Sequence, residues 1–199
     1  MTAPRTTSVS RKQLDLVGGI VFVILAVVAL LLGVKLRSLS NFAHDNVHTQ
    51  LAAQRIAFPP KGSDALSPKE FPDLQRYAGQ SVDTGAKAEA YANGFIARHL
   101  ASIAGGKTYA EVSAAAQQQP ANAQLQQQAQ TLFRGETLRG LLLTTYAFDK
   151  MGSEGTFMAN LCFAGAALLL ILGVGGLWHA ARQDEVDRTA APVARVEAA

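Results

Sequence analysis

The segment His44-Asp45-Asn46-Val47-His48 places two imidazoles four residues apart. On a helix, residues i and i+4 share a face, and a pair of ring nitrogens on one face suits zinc or a similar metal. Asp45 falls on another face, so a third ligand has to come from elsewhere, and His99 is the candidate. His44, His48 and His99 are therefore the potential metal set, and the basis of a reading as a metal-binding protein or enzyme. Against it, His99 interrupts an apolar stripe, where a hydrogen-bonded core imidazole is expected. A second constellation, Ala101-Ser102-Ile103-Ala104-Gly105-Gly106-Lys107-Thr108, matches the loosest phosphate-loop pattern with alanine at the first glycine. Such a loop must follow a strand and open a helix to cradle phosphate. Here an amphipathic helix precedes it, so no nucleotide is expected. The third is Glu136 with Arg139. Glu136 follows Leu132 and Phe133 by one helical turn, and a half-buried carboxylate needs a partner, which Arg139 supplies at i+3. No second carboxylate is placed to work with Glu136, so a structural ion pair is expected, and neither a catalytic residue nor a cofactor.

Two charge-free apolar runs must position these residues. One is Leu16–Val34, the other lies between Glu154 and Arg182 with its core at Phe157–Trp178. A bilayer core of roughly 30 Å needs about 20 apolar residues at about 1.5 Å rise each, and both runs suffice. The reading is an all-α chain with two transmembrane helices and an extracytoplasmic bundle of about four helices between them. Its divisions are a cytoplasmic tail at 1–14, a first span at 15–36, the external domain at 37–154, a second span at 155–179, and an unfolded cytoplasmic tail at 180–199. The first run exceeds the usual apolar length of a signal peptide, and Lys35-Leu36-Arg37 follows it where a small-residue cleavage site would stand, so an uncleaved anchor is expected.

Small residues recur every seven positions in both runs: Gly19, Ala26 and Gly33 in the first, Ala159, Ala166, Gly173 and Ala180 in the second. Small residues let helix backbones approach where lipid removes any hydrophobic drive between them. A seven-residue repeat keeps one seam facing a left-handed partner. The two spans are expected to pack antiparallel on these seams. Neither core carries a charge, so no proton or ion path is expected.

The loop is rich in Ala and Gln and poor in β-branched residues, which favours helix. The first span is expected to run on to about Gln54, with Phe58-Pro59-Pro60 preventing continuation. An irregular stretch follows, with at most a short helix at Asp73–Ala78. A helix capped by Thr84 is expected to reach Ala104 and stop at Gly105-Gly106. Its apolar stripe is Ala88, Tyr91, Ala92, Phe95, Ile96, His99, Leu100 and Ile103. Thr108 and Glu111 form a capping box opening a helix to Gln119. The last external helix is expected from Ala121 to about Phe148.

The pI of 9.2 suggests nucleic acid only until charge is located. Between Arg37 and Glu154 stand 11 Lys and Arg against 10 Asp and Glu, with no basic stripe for phosphates to follow. Near the spans the tails hold Arg5, Arg11, Lys12, Arg182, Arg188 and Arg195 against Lys35, Arg37, Arg55, Arg139 and Lys150 on the loop. The bias places both termini inside. The single cysteine, Cys162, lies in the second run and closes no intramolecular disulfide.

The stretch Tyr77–Ser113 (YAGQSVDTGAKAEAYANGFIARHLASIAGGKTYAEVS), with LFRGETLRGLLLTTYAF before the second run, resembles an uncharacterised family of small two-pass membrane proteins of high-GC Gram-positive bacteria. Some members carry the label of aromatic ring-opening dioxygenase. Such enzymes hold iron with two histidines and a carboxylate, and no glutamate here is spaced to complete that set. The resemblance implies location and topology, not a reaction. The expectation is a plasma-membrane, multi-pass protein, contacting the lipid bilayer and other membrane proteins as an accessory subunit or assembly factor. An extracytoplasmic ligand sensor acting through a partner is the remaining alternative.

Overall fold

The computed structural model describes the backbone of residues 11–196 and the side chains of residues 11–183. The expected tail residues 1–10 and 197–199 lie outside the described residues. Five α-helices form: α1 (Arg11–Gln54), α2 (Gly85–Glu89), α3 (Ala97–Ala104), α4 (Tyr109–Gln118) and α5 (Ala123–Val196). A π-helical stretch, Ala90–Ile96, joins α2 to α3, and short 3-10 helices stand at Asp64–Leu66 and Pro72–Tyr77. Among the described residues the regular structure is helical, and the one β pairing is an isolated antiparallel bridge, Ala57 with Ser81. There the Phe58 N–H donates to the Gln80 carbonyl at 2.9 Å and the Val82 N–H to the Ile56 carbonyl at 2.8 Å.

Two expectations are corrected. The last external helix does not stop near Phe148; α5 continues through Gly152 and Gly155 without a break. An isolated glycine costs a helix only about 1 kcal/mol, and Gly152 lets Ala43 and His44 of α1 pack to within 3.0 and 3.2 Å of where its Cβ would be. The tail expected to be unfolded from residue 180 is helical to Val196.

Two compact units are present, one of residues 1–38 with 156–199 and one of residues 39–155. In the first, α1 and α5 run antiparallel. Gly19, Ala26, Gly33, Ala159, Ala166, Gly173 and Ala180 are all buried, while Leu14, Leu31, Ile171 and Trp178 on the other faces are about 60–70 % exposed. The contact is backbone to backbone. A Cβ on Gly19 would lie 2.9 Å from the Gly173 carbonyl oxygen, and one on Gly173 would lie 3.0 Å from the Gly19 oxygen and 3.2 Å from the Val23 nitrogen. Polar groups close the unit's flanks: the Arg37 guanidinium donates to Asn160 Oδ1 at 2.6 Å, and His179 Nδ1 meets Asp15 Oδ2 at 2.8 Å.

In the second unit, Val47 and Leu51 of α1, Phe58, Leu66, Phe71, Leu74 and Val82 of the connection, and Leu132 and Leu142 of α5 surround the α2–α3 segment. Besides Gly85 and Gly94, the buried side chains of that segment are Ala88, Ala92, Ile96, Leu100 and Ala104. They recur every four residues. A straight α-helix rotates such a row about 40° per step away from its neighbour. The wider π turn absorbs part of this drift. It also explains why Ala104 is buried and Ile103, expected on the core stripe, is 45 % exposed. Helix ends follow local chemistry. Thr84 caps α2 by accepting from the Lys87 N–H, and Gly105 ends α3 in the left-handed region at φ 58°. Thr108 and Glu111 exchange both bonds of the capping box.

Gly173→Leu should separate the paired helices of the first unit, because backbone atoms that cannot yield face the new side chain. Overpacking of this kind costs about 1–3 kcal/mol. Gly175→Leu, where nothing lies within 4 Å of the Cβ position, should be neutral. Denaturation by SDS in mixed micelles, followed through the single tryptophan, Trp178, measures both.

Candidate functional site

The three histidines occupy three separate environments. His44 lies on α1 and its Nδ1 meets Asp149 Oδ1 of α5 at 2.6 Å. Gly85, the first residue of α2, presses against the Asp149 side chain so closely that a Cβ there would collide with it. One turn away, the buried Ser40 hydroxyl donates to the Gly152 carbonyl at 2.7 Å. His48 Nδ1 donates to the Asp83 carbonyl at 3.0 Å. A carbonyl can only accept, so Nδ1 carries the proton in this bond. His99 Nδ1 donates to the Phe95 carbonyl at 3.0 Å, and its ring stacks on Phe71 at 5.2 Å between centroids.

The potential metal set is therefore not assembled. Among the described residues no group of three His, Cys, Asp or Glu side chains is placed to hold a metal ion. His99 belongs to an aromatic ladder instead. Tyr91, Phe95 and His99 follow one another along the helix, with ring centroids 4.9 and 4.3 Å apart. Phe58 meets Tyr91 edge-on at 5.0 Å and Tyr77 face-on at 5.2 Å. Each such pair contributes about 0.5–1.5 kcal/mol beyond its buried area.

Asp149, His44 and Ser40 have the residue types of an acid–base–nucleophile set. The geometry denies that chemistry. Ser40 is 1 % exposed and its proton is committed to a main-chain carbonyl, so no substrate reaches it and no base takes its proton. The cluster ties α1, α2 and α5 together. Sequence reasoning placed His44 and missed Asp149. The available signal was its position three residues before Gly152, on the seam side of α5.

Asp83, whose carbonyl receives His48, also pairs through its carboxylate with Lys87 Nζ at 2.9 Å. The Lys87 ammonium holds that carboxyl below the usual aspartate range. The Arg98 guanidinium does the same for Asp73, gripping both oxygens at 2.8 and 2.9 Å. Glu136 and Arg139 pair at 3.2 Å, and Arg139 also donates to Asn93 Oδ1 at 3.1 Å. The stretch Ala101–Thr108 forms the end of α3, the turn and the cap of α4, with no preceding strand. Comparison with protein-family models, with curated proteins and with solved structures gives no match to this chain. What the site does is accordingly read from its own geometry.

Gly85→Ala should loosen the α1–α2–α5 junction by about 1–3 kcal/mol. Gly140→Ala, an exposed helical glycine with open space around it, should stabilise by about 0.5–1 kcal/mol through helix propensity. Thermal unfolding of each variant in detergent distinguishes the two signs.

Asp73 and Asp83 are both depressed in the fold, so the unfolded chain takes up their protons first as pH falls. Their stabilisation is complete above the ordinary aspartate value of about 3.9 and is lost as pH drops through the lower folded values. Asp73→Asn should lower stability at neutral pH by less than about 1 kcal/mol, the pair being half exposed and screened. In a melting-temperature series the gap between variant and wild type should persist at neutral pH and close as pH falls through the depressed folded value of Asp73.

Proposed function

We propose that this chain is a two-pass integral protein of the plasma membrane whose residues 39–155 form an extracytoplasmic docking module for other membrane proteins. The observation that carries the reading is the outer surface of the α1–α5 pair. Both helices are long and apolar enough to cross a membrane, with mean hydropathy of 3.0 and 2.3 over their most apolar windows, and only 17 % of each window is buried. A core helix of a soluble protein is mostly covered by its own chain. Here Leu, Ile, Val and Phe cover the faces turned away from the seam. Fully burying one such side chain is worth about 1.5–3 kcal/mol, so lipid around this pair supplies the missing cover.

The direction follows from charge. The tails carry the slight excess of Lys and Arg, which puts both termini in the cytoplasm, and the resemblance to two-pass proteins of high-GC Gram-positive bacteria supports the same arrangement. A docking role fits the second unit's chemistry. Its charge is balanced, its histidines are committed to structural bonds, and Phe133 and Tyr109 meet at 5.6 Å with Phe133 53 % exposed. Exposed aromatic residues of this kind are enriched at protein interfaces. An accessory subunit or assembly factor is the corresponding role in a membrane complex.

Topology is tested by introducing Lys61→Cys in a Cys162→Ala background and labelling intact cells with a membrane-impermeant maleimide. Labelling without lysis is the expected outcome, and labelling only after lysis would reverse the orientation. The protein should stay in the membrane pellet after carbonate washing. Affinity capture from native membranes should bring down membrane proteins in fixed ratio, and recovery of a lone monomer removes the docking role.

A further inference from the structure

We propose that the groove between α4 and the start of α5 binds a small neutral saccharide. On α4, Tyr109, Ser113 and Gln117 stand four residues apart, and on α5 Gln126, Gln130 and Phe133 follow one another by a helical turn. Each set shares one helix face, and the two faces wall a groove of about 580 Å³. That volume is within the usual range for small-molecule sites. Gln126 braces the groove at the end near the α4–α5 turn, where its Nε2 donates to the Ala116 carbonyl at 2.6 Å. Tyr109 and Phe133 stand at the other end, their ring centroids 5.6 Å apart and their planes inclined at 48°. They are 38 % and 53 % exposed.

The lining chemistry selects the ligand class. No Lys, Arg, Asp or Glu lines the groove, so an anion or a cation finds no counter-charge in its walls. A purely apolar ligand would bury carboxamides without partners, which costs more than the bonds to water it displaces. Among the described residues, the side chains of Ser113, Gln117, Gln127 and Gln130 hold no hydrogen bond within the chain, so they are available to a ligand. A carboxamide donates and accepts from one planar group, and neighbouring sugar hydroxyls also do both. The C–H face of a sugar ring carries small positive partial charges and packs on the negative face of an aromatic ring. A saccharide meets both surfaces with one small molecule. This reaches beyond a docking role, because it assigns the second unit a neutral ligand of its own, whatever its protein partners or orientation.

The test uses the full chain in lipid nanodiscs, with empty nanodiscs as the blank. Maltose, cellobiose and N,N′-diacetylchitobiose are titrated and followed by saturation-transfer difference NMR. At least one of them should show saturable transfer above the blank, and its affinity should not change with salt, since no ionic contact is involved. Phe133→Ala and Gln130→Leu should each weaken that sugar by about three- to tenfold. Gln124→Leu, on α5 but off the groove, should leave it unchanged. All three side chains are exposed, so the variants keep the fold. No saturable transfer to any of the three sugars, no weakening by either groove variant, or equal weakening by Gln124→Leu would overturn the assignment. The readout needs no partner protein, so failure of the docking role and failure of this site are separate results.

Discussion

Close approach of two antiparallel backbones is the constraint on which the rest depends. Residues 19 and 173 face each other with so little room that neither tolerates a Cβ. Dispersion falls steeply with distance, and a gap of even half an ångström forfeits a sizeable part of each contact. In lipid, where no hydrophobic force draws helices together, packing at this range is the principal attraction. A repeat of seven positions falls short of two whole turns of an ideal helix by about 20°, so a seam kept in contact must wind with a left-handed twist. The same repeat continues on α1 through Ser40 and Val47 and on α5 through Gly152, all buried within the second unit. There it changes chemistry. Ser40 bonds the Gly152 carbonyl, and His44 bonds Asp149, so polar contacts enter the seam in the unit that is read as lying in water.

The second unit solves a different packing problem. Its central segment buries small or branched residues at every fourth position, a spacing that no straight α-helix keeps on one side. The π-helical stretch adjusts the phase where Gly94 lets Leu74 approach within 2.8 Å of its Cβ position. An inserted turn of this type is rare and found mostly where a structural or functional demand overrides the regular ladder. The demand here is visible in the rings. Tyr91, Phe95 and His99 must meet Phe58 and Phe71, which come from a connection whose regular structure is two short 3-10 helices. Aromatic packing and the two bonds of the Ala57–Ser81 bridge organise that connection in place of a helix.

These two solutions decide what the polar side chains are free to do. An imidazole that donates Nδ1–H to a main-chain carbonyl, as His48 and His99 do, is oriented by the fold. It is fixed in one tautomer, and its ring direction is set by backbone geometry. The pairing of His44 with Asp149 joins elements more than a hundred residues apart in sequence. Histidine chemistry thus serves architecture in this molecule.

Periodicity and punctuation were readable without coordinates because their causes are local. Two uncharged runs of sufficient length, the seven-residue spacing of Gly19 through Gly33 and Ala159 through Ala180, the capping box at Thr108 and the stop at Gly105 all act within one or two helical turns. The ion pair of Glu136 with Arg139, three residues apart on one helix, was legible for the same reason. The phase of the α2–α3 segment was not, because a π turn is selected by what lies across from it, not by the residues that form it. Nor was the continuity of α5, where helix propensity at Gly152 and Gly155 argued weakly for a break and tertiary packing overrode it. The roles of His44 and His48 depended on Asp149 and Asp83, neither within helical reach of its partner, whereas the hydrogen-bonded state expected for His99 is met by Phe95 four residues away. Hydrogen bonding and ring stacking act over a few ångströms of space, and only the folded chain decides which distant residues come within that distance.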